Sequence, residues 1–246
     1  MGDTANVVSL KGSAGSNPAI SEVRRVEATP STPPRNPFPS CGPLIPPHGI
    51  ATYRDYPFGK FEGAYHFIEP HVLLLENALP FADQLMLTIA TMPWEQSTVV
   101  NEVTKGSFTD TPYRNSSYIT IDNRMPDILA AMTFIGNAAV SLYQTRHPFA
   151  RTDGPDGLYQ LLRYGPGQHF HEHHDFIHRH PRSRILSLVA YPNDDYDGGD
   201  LVFPQQNLRV KPRKGSVIVF PSAFTHSHAS LDVTRGLKYS IVTWFI

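Results

Sequence analysis

The sequence has little cysteine, no excess of charge of one sign and no long apolar run. Its 246 residues include one cysteine, Cys41, which excludes an internal disulfide and a cysteine-based zinc cluster. The 21 basic and 22 acidic residues give a net charge of −1, so nothing electrostatic favours nucleic acid or an anionic membrane. No stretch approaches the roughly 18 consecutive apolar residues of a membrane-spanning helix, and no secretory signal is recognised. We therefore expect a soluble, cytoplasmic protein.

Proline is concentrated near the N-terminus. Nine of the 23 prolines lie within residues 1–50, mixed with serine, threonine and glycine. Such a segment buries too little apolar surface to offset the entropy of ordering its backbone. We predict that residues 1–50 are disordered, with a proline-rich docking segment as the alternative. Residues 51–246 are predicted to form a single domain.

The periodicity of apolar residues changes along this domain. Between about residues 66 and 157, HFIEPHVLLLENALP is a strand-like run, and Phe81, Leu85 and Ile89 then recur at helical spacing. MPDILAAMTFIGNAAVSLYQ, with Pro126 near its start, predicts a second helix. From about 158 to 246, short segments rich in β-branched and aromatic residues alternate with turn motifs such as GPG and PNDDYDGGD. These segments predict an antiparallel sandwich or barrel. The expected fold class is mainly β with supporting α-helices.

Half of the 12 histidines lie in HFHEHHDFIHRH, residues 169–180. If QHFHEHHDF is a strand, alternation places His169, His171, His173 and Asp175 on one face, with the phenylalanines packed on the other. The only histidine in this run that is followed two positions later by a carboxylate is His173, in the motif His173-x-Asp175. Two imidazoles and one carboxylate on one side of a cation form the facial triad of non-haem Fe(II) oxygenases. The motif therefore predicts an iron site if a second histidine comes from elsewhere.

Two later segments offer the missing parts of such a site. FPSAFTHSHASL contains His226 and His228, which alternation places on one strand face and does not distinguish. TRGLKYSIVTWF places Lys238 and Ser240 on one face of a further strand, where an inward cation suits an anionic co-substrate. The alternatives are exposed polar residues on an edge strand and a lysine that reaches to solvent along an apolar surface.

The order of these motifs resembles the 2-oxoglutarate- and Fe(II)-dependent dioxygenases, and within them the prolyl 4-hydroxylase-like branch. The motifs that carry the resemblance are LLRYGPGQHFHEHHD, SLVAYPNDDYDGGDLVF, VKPRKGSVIVFPS and HASLDVTRGLKYSIVTWF, all within residues 158–246. The resemblance implies a double-stranded β-helix core, of the jelly-roll or cupin-like type, packed against N-terminal helices.

The resemblance also implies roles for individual residues. It favours His228 over His226 because of the interval to the VTRG motif. The implied iron ligands, which together with Lys238 form the catalytic set, are His173, Asp175 and His228. The implied contacts to 2-oxoglutarate are Tyr164, Lys238 and, more weakly, Ser240. The weaker implied contacts to substrate are Arg114 and His171.

The implied activity couples oxidative decarboxylation of 2-oxoglutarate to hydroxylation of an unactivated C–H bond, prolyl or similarly aliphatic. Fe(II), 2-oxoglutarate and O₂ are required, with ascorbate a candidate reductant. The substrate is a peptide, a protein or a small molecule, and a hydroxylase of a free amino acid or small natural product is the alternative. A cupin-like metal-binding module without redox turnover is the alternative from another class, although it has no need of a dicarboxylate contact. Neither the substrate nor the oligomeric state follows from the sequence.

Overall fold

The computed structural model describes residues 48–53, 61–100, 106–157, 159–179 and 182–246, all of which belong to one compact unit. The predicted disorder of residues 1–50 lies outside this description, apart from the last three residues, which begin the first strand. The single domain predicted over residues 51–246 stays a prediction at its N-terminal boundary.

The described residues form two α-helices and nineteen strands, many of them short. The helices are α1 (Ala82–Ile89) and α2 (Pro126–Arg146). The strands are β1 (His48–Tyr53), β2 (Phe61–Glu69), β3 (Val72–Leu75), β4 (Glu95–Gln96), β5 (Val99–Val100), β6 (Ser107–Phe108), β7 (Ser117–Ile121), β8 (Tyr159–Tyr164), β9 (Phe170–His173), β10 (His178–Arg179), β11 (Arg182–Ser183), β12 (Leu186–Tyr191), β13 (Asp197–Gly198), β14 (Leu201–Phe203), β15 (Leu208–Val210), β16 (Ser216–Pro221), β17 (His228–Ser230), β18 (Val233–Arg235) and β19 (Lys238–Phe245). Short 3₁₀ helices occupy Pro204–Gln206 and Phe224–His226.

Two antiparallel sheets face each other across the domain. The larger has the strand order β1-β2-β3-β16-β12-β19-β8-β7-β4, and the smaller has the order β15-β14-β17-β9. Val189 and Phe220 of the larger sheet share an apolar cluster with Phe203 of the smaller one. This pair of facing sheets confirms the predicted mainly β fold.

Both helices cover the outer face of the larger sheet, where α2 packs Ile135 into the same core cluster as Ile241 of β19. Pro126 is the first residue of α2, where its missing N–H costs no intrahelical hydrogen bond. By length and mean hydropathy alone α2 would suffice to cross a membrane, but eight of its residues are buried within the protein. Since the helices occupy the outer face, the inner face of the larger sheet remains for a site.

The segment predicted as a helical support, about residues 66–157, also contributes strands to the sheet. β3 pairs with β16 and β7 pairs with β8, both antiparallel. The reason is visible in β3, where Leu73 and Leu75 are fully buried in the cluster beneath the helices. The β core therefore begins well before residue 158.

Candidate metal centre and cofactor cavity

Three predicted ligands meet at one end of the smaller sheet. His173 ends β9 and His228 begins β17, and these two residues are paired across the sheet. Asp175 lies two residues beyond the end of β9, with its carboxylate close to both imidazoles. One ligand atom from each of the three residues lies within 4.8 Å of the others, and no other group of three in the described part of the chain meets this criterion.

The hydrogen bonds of the two imidazoles engage Nδ1 and leave Nε2 of each ring free to bind a cation. The ring Nδ1 of His173 lies 2.8 Å from the carbonyl oxygen of His171, and Nδ1 of His228 lies 3.1 Å from that of His226. Each Nε2 then faces Asp175, at 3.7 Å for His173 and 3.5 Å for His228. These gaps are too long for hydrogen bonds but suit two ligands of one ion. The three side chains, each at most 13% exposed, therefore fit a divalent metal.

The protonation states also suit a metal ligand set. Burial lowers the pKa of His173, and the neighbouring His228 lowers it further. Burial alone would raise the pKa of Asp175, but His228, His173 and hydrogen bonds from Ser187 and Trp244 outweigh this effect and lower it. A neutral imidazole and an ionised carboxylate are the forms that bind transition metals.

A short chain of hydroxyl groups holds the carboxylate of Asp175, and the sequence did not predict it. Ser187 Oγ donates to Asp175 Oδ2 at 2.7 Å and lies 2.8 Å from Ser222 Oγ. A serine has one hydroxyl proton, so Ser222 must donate to Ser187. Trp244 adds a further hydrogen bond to the carboxylate. Trp244 was detectable, because it continues the alternation of Lys238 and Ser240 along β19.

We expect Ser187→Ala to weaken iron binding by roughly 10- to 100-fold, the usual cost of losing a group that orients a metal ligand. The Ser222→Ala variant should lose less, because Ser222 touches Asp175 only through Ser187. Anaerobic competition against a chelator measures both affinities. Ser187→Thr keeps the hydroxyl and should restore binding, and equal losses in Ser187→Thr and Ser187→Ala would exclude this role of the hydroxyl group.

Lys238 is fully buried at the other end of the same cavity. Its ammonium donates to the carbonyl oxygen of Gly199 at 2.6 Å and to Ser230 Oγ at 2.7 Å. Ser230 lies two positions beyond His228 on β17, which is roughly 6–7 Å along an extended strand. Through Ser230, Lys238 is thus tied to the strand that carries His228.

The glycine beneath Lys238 is required by this packing. Gly199 has a positive φ of 66°, and a Cβ atom built on it would lie 2.9 Å from Lys238 Cδ. A larger residue would therefore strain the backbone and push the lysine out of place. The second glycine of the DGGD motif serves the cofactor cavity, beyond the turn that the motif predicts.

The remaining predicted cofactor contacts lie beside Lys238. Tyr164 of β8 is directly opposite it in the sheet, with its ring centroid 5.3 Å from the ammonium nitrogen. Ser240 is buried and lines the same cavity. Burial lowers the pKa of Lys238 to about 7, and the negative charge of Asp200 offsets this effect only in part. An anionic ligand would add negative charge beside the ammonium.

The two residues predicted as weak substrate contacts lie in different surroundings. Arg114 lines the cavity, donates to the Thr98 carbonyl oxygen at 3.0 Å and places its guanidinium carbon 4.7 Å from the centroid of the Phe170 ring. Phe170 in turn stacks on His173, with ring centroids 3.5 Å apart. His171 is exposed and contacts Tyr113. Arg114 is therefore near the ligand set, whereas His171 points to solvent.

Two details of the strand prediction are wrong. The segment QHFHEHHDF forms a strand only over β9, so alternation does not extend to Asp175, and Phe176 is 37% exposed instead of packed. His226 and His228 do not share a strand face, because His226 ends a 3₁₀ helix and only His228 lies in β17. The 3₁₀ turn rotates the ring of His226 away from Asp175 and toward Glu69.

The ligand set, Lys238 and Arg114 all line one cavity, which has a volume of about 1040 Å³.

Residues 159–246 match the family model described as the 2OG-Fe(II) oxygenase superfamily. An Acanthamoeba polyphaga mimivirus protein that carries a prolyl 4-hydroxylase name is 31% identical over 158 residues, which are 56% of this chain and 61% of that protein. Prolyl 4-hydroxylase 1 of Arabidopsis thaliana is 26% identical over 203 residues, 71% of this chain and 68% of that protein.

Solved structures share the fold at low sequence identity. A Pseudomonas putida prolyl-4-hydroxylase aligns with a TM-score of 0.54 and 21% identity, over 71% of this chain and 91% of that one. A Trichoplax adhaerens prolyl hydroxylase, solved with a hypoxia inducible factor oxygen degradation domain peptide fragment, aligns with a TM-score of 0.57 and 15% identity, over 72% and 84%. The predicted double-stranded β-helix core is thereby confirmed. The family model identifies residues 159–246 as a 2OG-Fe(II) oxygenase segment, and the sequence relatives are similar to this chain within the prolyl hydroxylase-like branch of that superfamily.

Proposed function

We propose that this protein is a non-haem Fe(II) dioxygenase that oxidises 2-oxoglutarate to succinate and CO₂ and hydroxylates a prolyl or similar aliphatic C–H bond in a peptide or protein. The observation that carries the proposal is the buried group His173, Asp175 and His228 in one cavity with the buried cation Lys238. A metal-binding module alone has no use for that cation. When bound, Fe(II) supplies the activation of O₂.

The protein supplies position and charge. His173, Asp175 and His228 would hold the ion from one side, which leaves its other positions open toward the cavity. Ser187 and Trp244 keep the carboxylate of Asp175 aimed at the ion. A substrate bound across the cavity would exclude water from the reacting groups, as oxygenase chemistry requires.

The co-substrate is proposed to lie between the ion and Lys238. Its far carboxylate would accept hydrogen bonds from the Lys238 ammonium and the Tyr164 hydroxyl, with Ser240 close by. Lysine binds the carboxylate as a point charge, whereas arginine would bind it with a planar fork. The partner charge would relieve the cost of burying the ammonium.

The size of the cavity supports a chain-like substrate. Its volume of about 1040 Å³ lies at the upper limit of sites for drug-sized ligands, which extend to about 1,000 Å³. It therefore leaves room beside 2-oxoglutarate, under the exposed Phe176 and next to Arg114. The names of the sequence relatives and the peptide in the Trichoplax adhaerens structure support the same substrate class. Ascorbate as reductant and a cytoplasmic location remain parts of the proposal.

The decisive experiment starts from protein purified without oxygen. Fe(II), 2-oxoglutarate and a panel of proline-containing peptides and free proline are added, and air is then admitted. Succinate is measured together with the gain of one oxygen atom by each candidate substrate. Asp175→Ala serves as the inactive control. Oxygen gain by free proline but by no peptide would favour the small-molecule alternative. Absence of succinate with every substrate would favour the cupin-like module.

The affinity for 2-oxoglutarate is expected to fall as the pH rises above about 7. Burial lowers the pKa of Lys238 to about 7, so above this pH the free enzyme holds a neutral amine that must take up a proton to attract the carboxylate. Titration calorimetry in buffers of different ionisation enthalpy should show uptake of up to one proton for each 2-oxoglutarate bound. Lys238→Arg, which stays charged, should remove the dependence. A wild-type affinity as independent of pH as that of the variant would contradict this prediction.

A further inference from the structure

One wall of the cavity is a short turn with little apolar packing. Residues 110–114 form this turn, named here the cavity turn, and its residues Tyr113 and Arg114 line the cavity. Both side chains contact the ring of Phe170. None of residues 106–115, all of which the structure describes, is a member of the apolar clusters of the protein. The position of the cavity turn therefore depends mainly on hydrogen bonds.

The side chain of His169 joins the cavity turn to the segment between β17 and β18. Its ring Nε2 lies 3.0 Å from the carbonyl oxygen of Pro112, in the middle of the turn. Its ring Nδ1 lies 2.9 Å from Oδ1 of Asp232. The backbone of Asp232 is held in turn, because its carbonyl oxygen accepts from the N–H of Gly199 at 2.8 Å. The imidazole of His169 thus has one partner in the turn and one in a fixed segment.

Backbone hydrogen bonds attach only the end of the cavity turn to β9 and the residues before it. The N–H of Asn115 donates to the carbonyl oxygen of His169 at 2.9 Å. The N–H of His171 donates to the carbonyl oxygen of Tyr113, also at 2.9 Å. The ring of His169 extends this attachment to Pro112, where the chain reverses direction. Its contact is therefore the one that fixes the middle of the turn.

Both partners of the His169 ring accept hydrogen bonds and neither donates one. A backbone carbonyl oxygen carries no proton, and the carboxylate of Asp232 carries none at neutral pH. A neutral imidazole donates from one nitrogen only, so either tautomer would leave one of the two oxygens facing a nitrogen lone pair. The imidazolium donates from both nitrogens. The geometry around His169 therefore selects its charged form.

The surroundings of the ring favour the same form. The carbonyl oxygen of Pro112 raises the pKa of His169 above the ordinary value of 6.5, burial opposes this effect, and Asp232 raises the pKa further. The contact is thus fully formed below the ordinary pKa, and it is lost as the pH rises through the raised one. The other titratable side chains of the elements around the ring are His171, with its ring centroid 4.4 Å away, and Asp110, Tyr113 and Arg114 of the cavity turn.

We propose that His169 is a positioning residue for the substrate, whose imidazolium holds the cavity turn where Tyr113 and Arg114 line the cavity. The inference rests on the proposed dioxygenase function, because it assigns the cavity turn to the side of the site that receives the peptide. Loss of the proton removes one of the two hydrogen bonds of the ring. The turn then opens more often, as segments with few buried apolar contacts do, and the peptide binds more weakly.

Hydrogen exchange of the full chain tests the position of the cavity turn without any substrate. Protection factors of the amides in residues 106–116 are measured at about pH 6 and about pH 8.5, on either side of the histidine titration, and are corrected for the intrinsic exchange rates. We expect the wild-type factors to fall about fivefold at the higher pH, the effect of losing one hydrogen bond of about 1 kcal/mol.

Two substitutions of His169 separate the proton from the shape of the side chain. His169→Gln has no charge, so it should show the lower protection at both pH values. His169→Arg stays charged and keeps several donors, so it should show the higher protection at both. His66→Gln, which replaces a half-exposed histidine of β2, is the matched control and should follow the wild type.

Turnover tests the consequence for the substrate. With 2-oxoglutarate at saturation, which removes the effect of Lys238 on its binding, the KM for a hydroxylated peptide should rise about fivefold over the same pH interval. The value of kcat should change less, and the rise in KM should be absent in His169→Arg. A merely structural role of His169 would not produce this dependence on pH.

Several results would overturn the proposal. One is equal protection of the wild type at the two pH values, and another is a fall of the same size in His169→Gln. A KM that follows pH equally in the wild type and in His169→Arg would exclude the role in substrate binding. Since protection is measured without turnover, a protein that forms no succinate would still show whether His169 holds the cavity turn. The role of His169 and the proposed dioxygenase activity therefore fail separately.

Discussion

His228→Ala is expected to abolish iron binding and the formation of succinate. The variant keeps only one imidazole and one carboxylate, and two ligands do not complete the facial triad that holds Fe(II). The loss of iron affinity should exceed the roughly 10- to 100-fold loss expected when a group hydrogen-bonded to a ligand is removed, because here a ligand itself is removed. Bound iron is counted after anaerobic gel filtration, and succinate is measured after admission of air.

The neighbouring histidine provides the test of register. His226→Ala keeps the backbone carbonyl oxygen that accepts from His228 Nδ1, and its own ring faces Glu69, so iron should still bind at the cavity. His66→Ala serves as a matched surface control. Loss of iron in His226→Ala with retention in His228→Ala would show that the ligand assignment is wrong.

Lys238→Ala is expected to raise the 2-oxoglutarate concentration required for turnover by roughly 30-fold or more. Truncation of one partner of a buried hydrogen-bonded charge pair costs about 2–5 kcal/mol, and each 1.4 kcal/mol is a factor of ten. The affinity for iron should change little, because Lys238 contacts Gly199 and Ser230 and none of the iron ligands. Turnover as a function of 2-oxoglutarate, together with an iron titration, separates the two effects.

Ser240→Ala is the matched control for that variant. Ser240 lies on the same face of β19 and lines the same cavity, but it carries no charge, so its effect should be much smaller. A change in iron affinity without a change in the 2-oxoglutarate requirement would refute the assignment of Lys238 to the carboxylate.

Strand alternation predicted the cofactor side of the cavity well and the metal side less well. Lys238 and Ser240 lie on one face because β19 is a regular strand of eight residues in the middle of a sheet. β9 has only four residues, and its pairing with β17 contains a register shift, so periodicity fails before Asp175. Alternation rests on an unbroken ladder of hydrogen bonds, and a bulge removes that basis.

The sequence patterns did not predict contacts between residues that are distant in the chain. Ser187 and Ser222 touch because β12 and β16 are neighbours in the larger sheet, and neither residue carries a local signal of this contact. The 3₁₀ helix that separates His226 from His228 follows the Pro-Ser pair at the end of β16, and no periodicity marks it. The helical layer was predicted, and so was the strand-like run HFIEPHVLLLENALP, where the end of β2 and β3 lie. β7, whose residues gave no strand prediction, is a strand of this segment that was missed.

The strand pairings of both sheets have a consequence for how the chain folds. β8 pairs with β19 across more than seventy residues of chain, and His173 pairs with His228 across more than fifty. The chain loses the entropy of closing these long loops before the stabilising strand contacts can form, and this slows folding. An ion added at the start of refolding meets only the local pair His173 and Asp175, so Fe(II) is expected to leave the refolding rate unchanged while slowing the unfolding of the native protein.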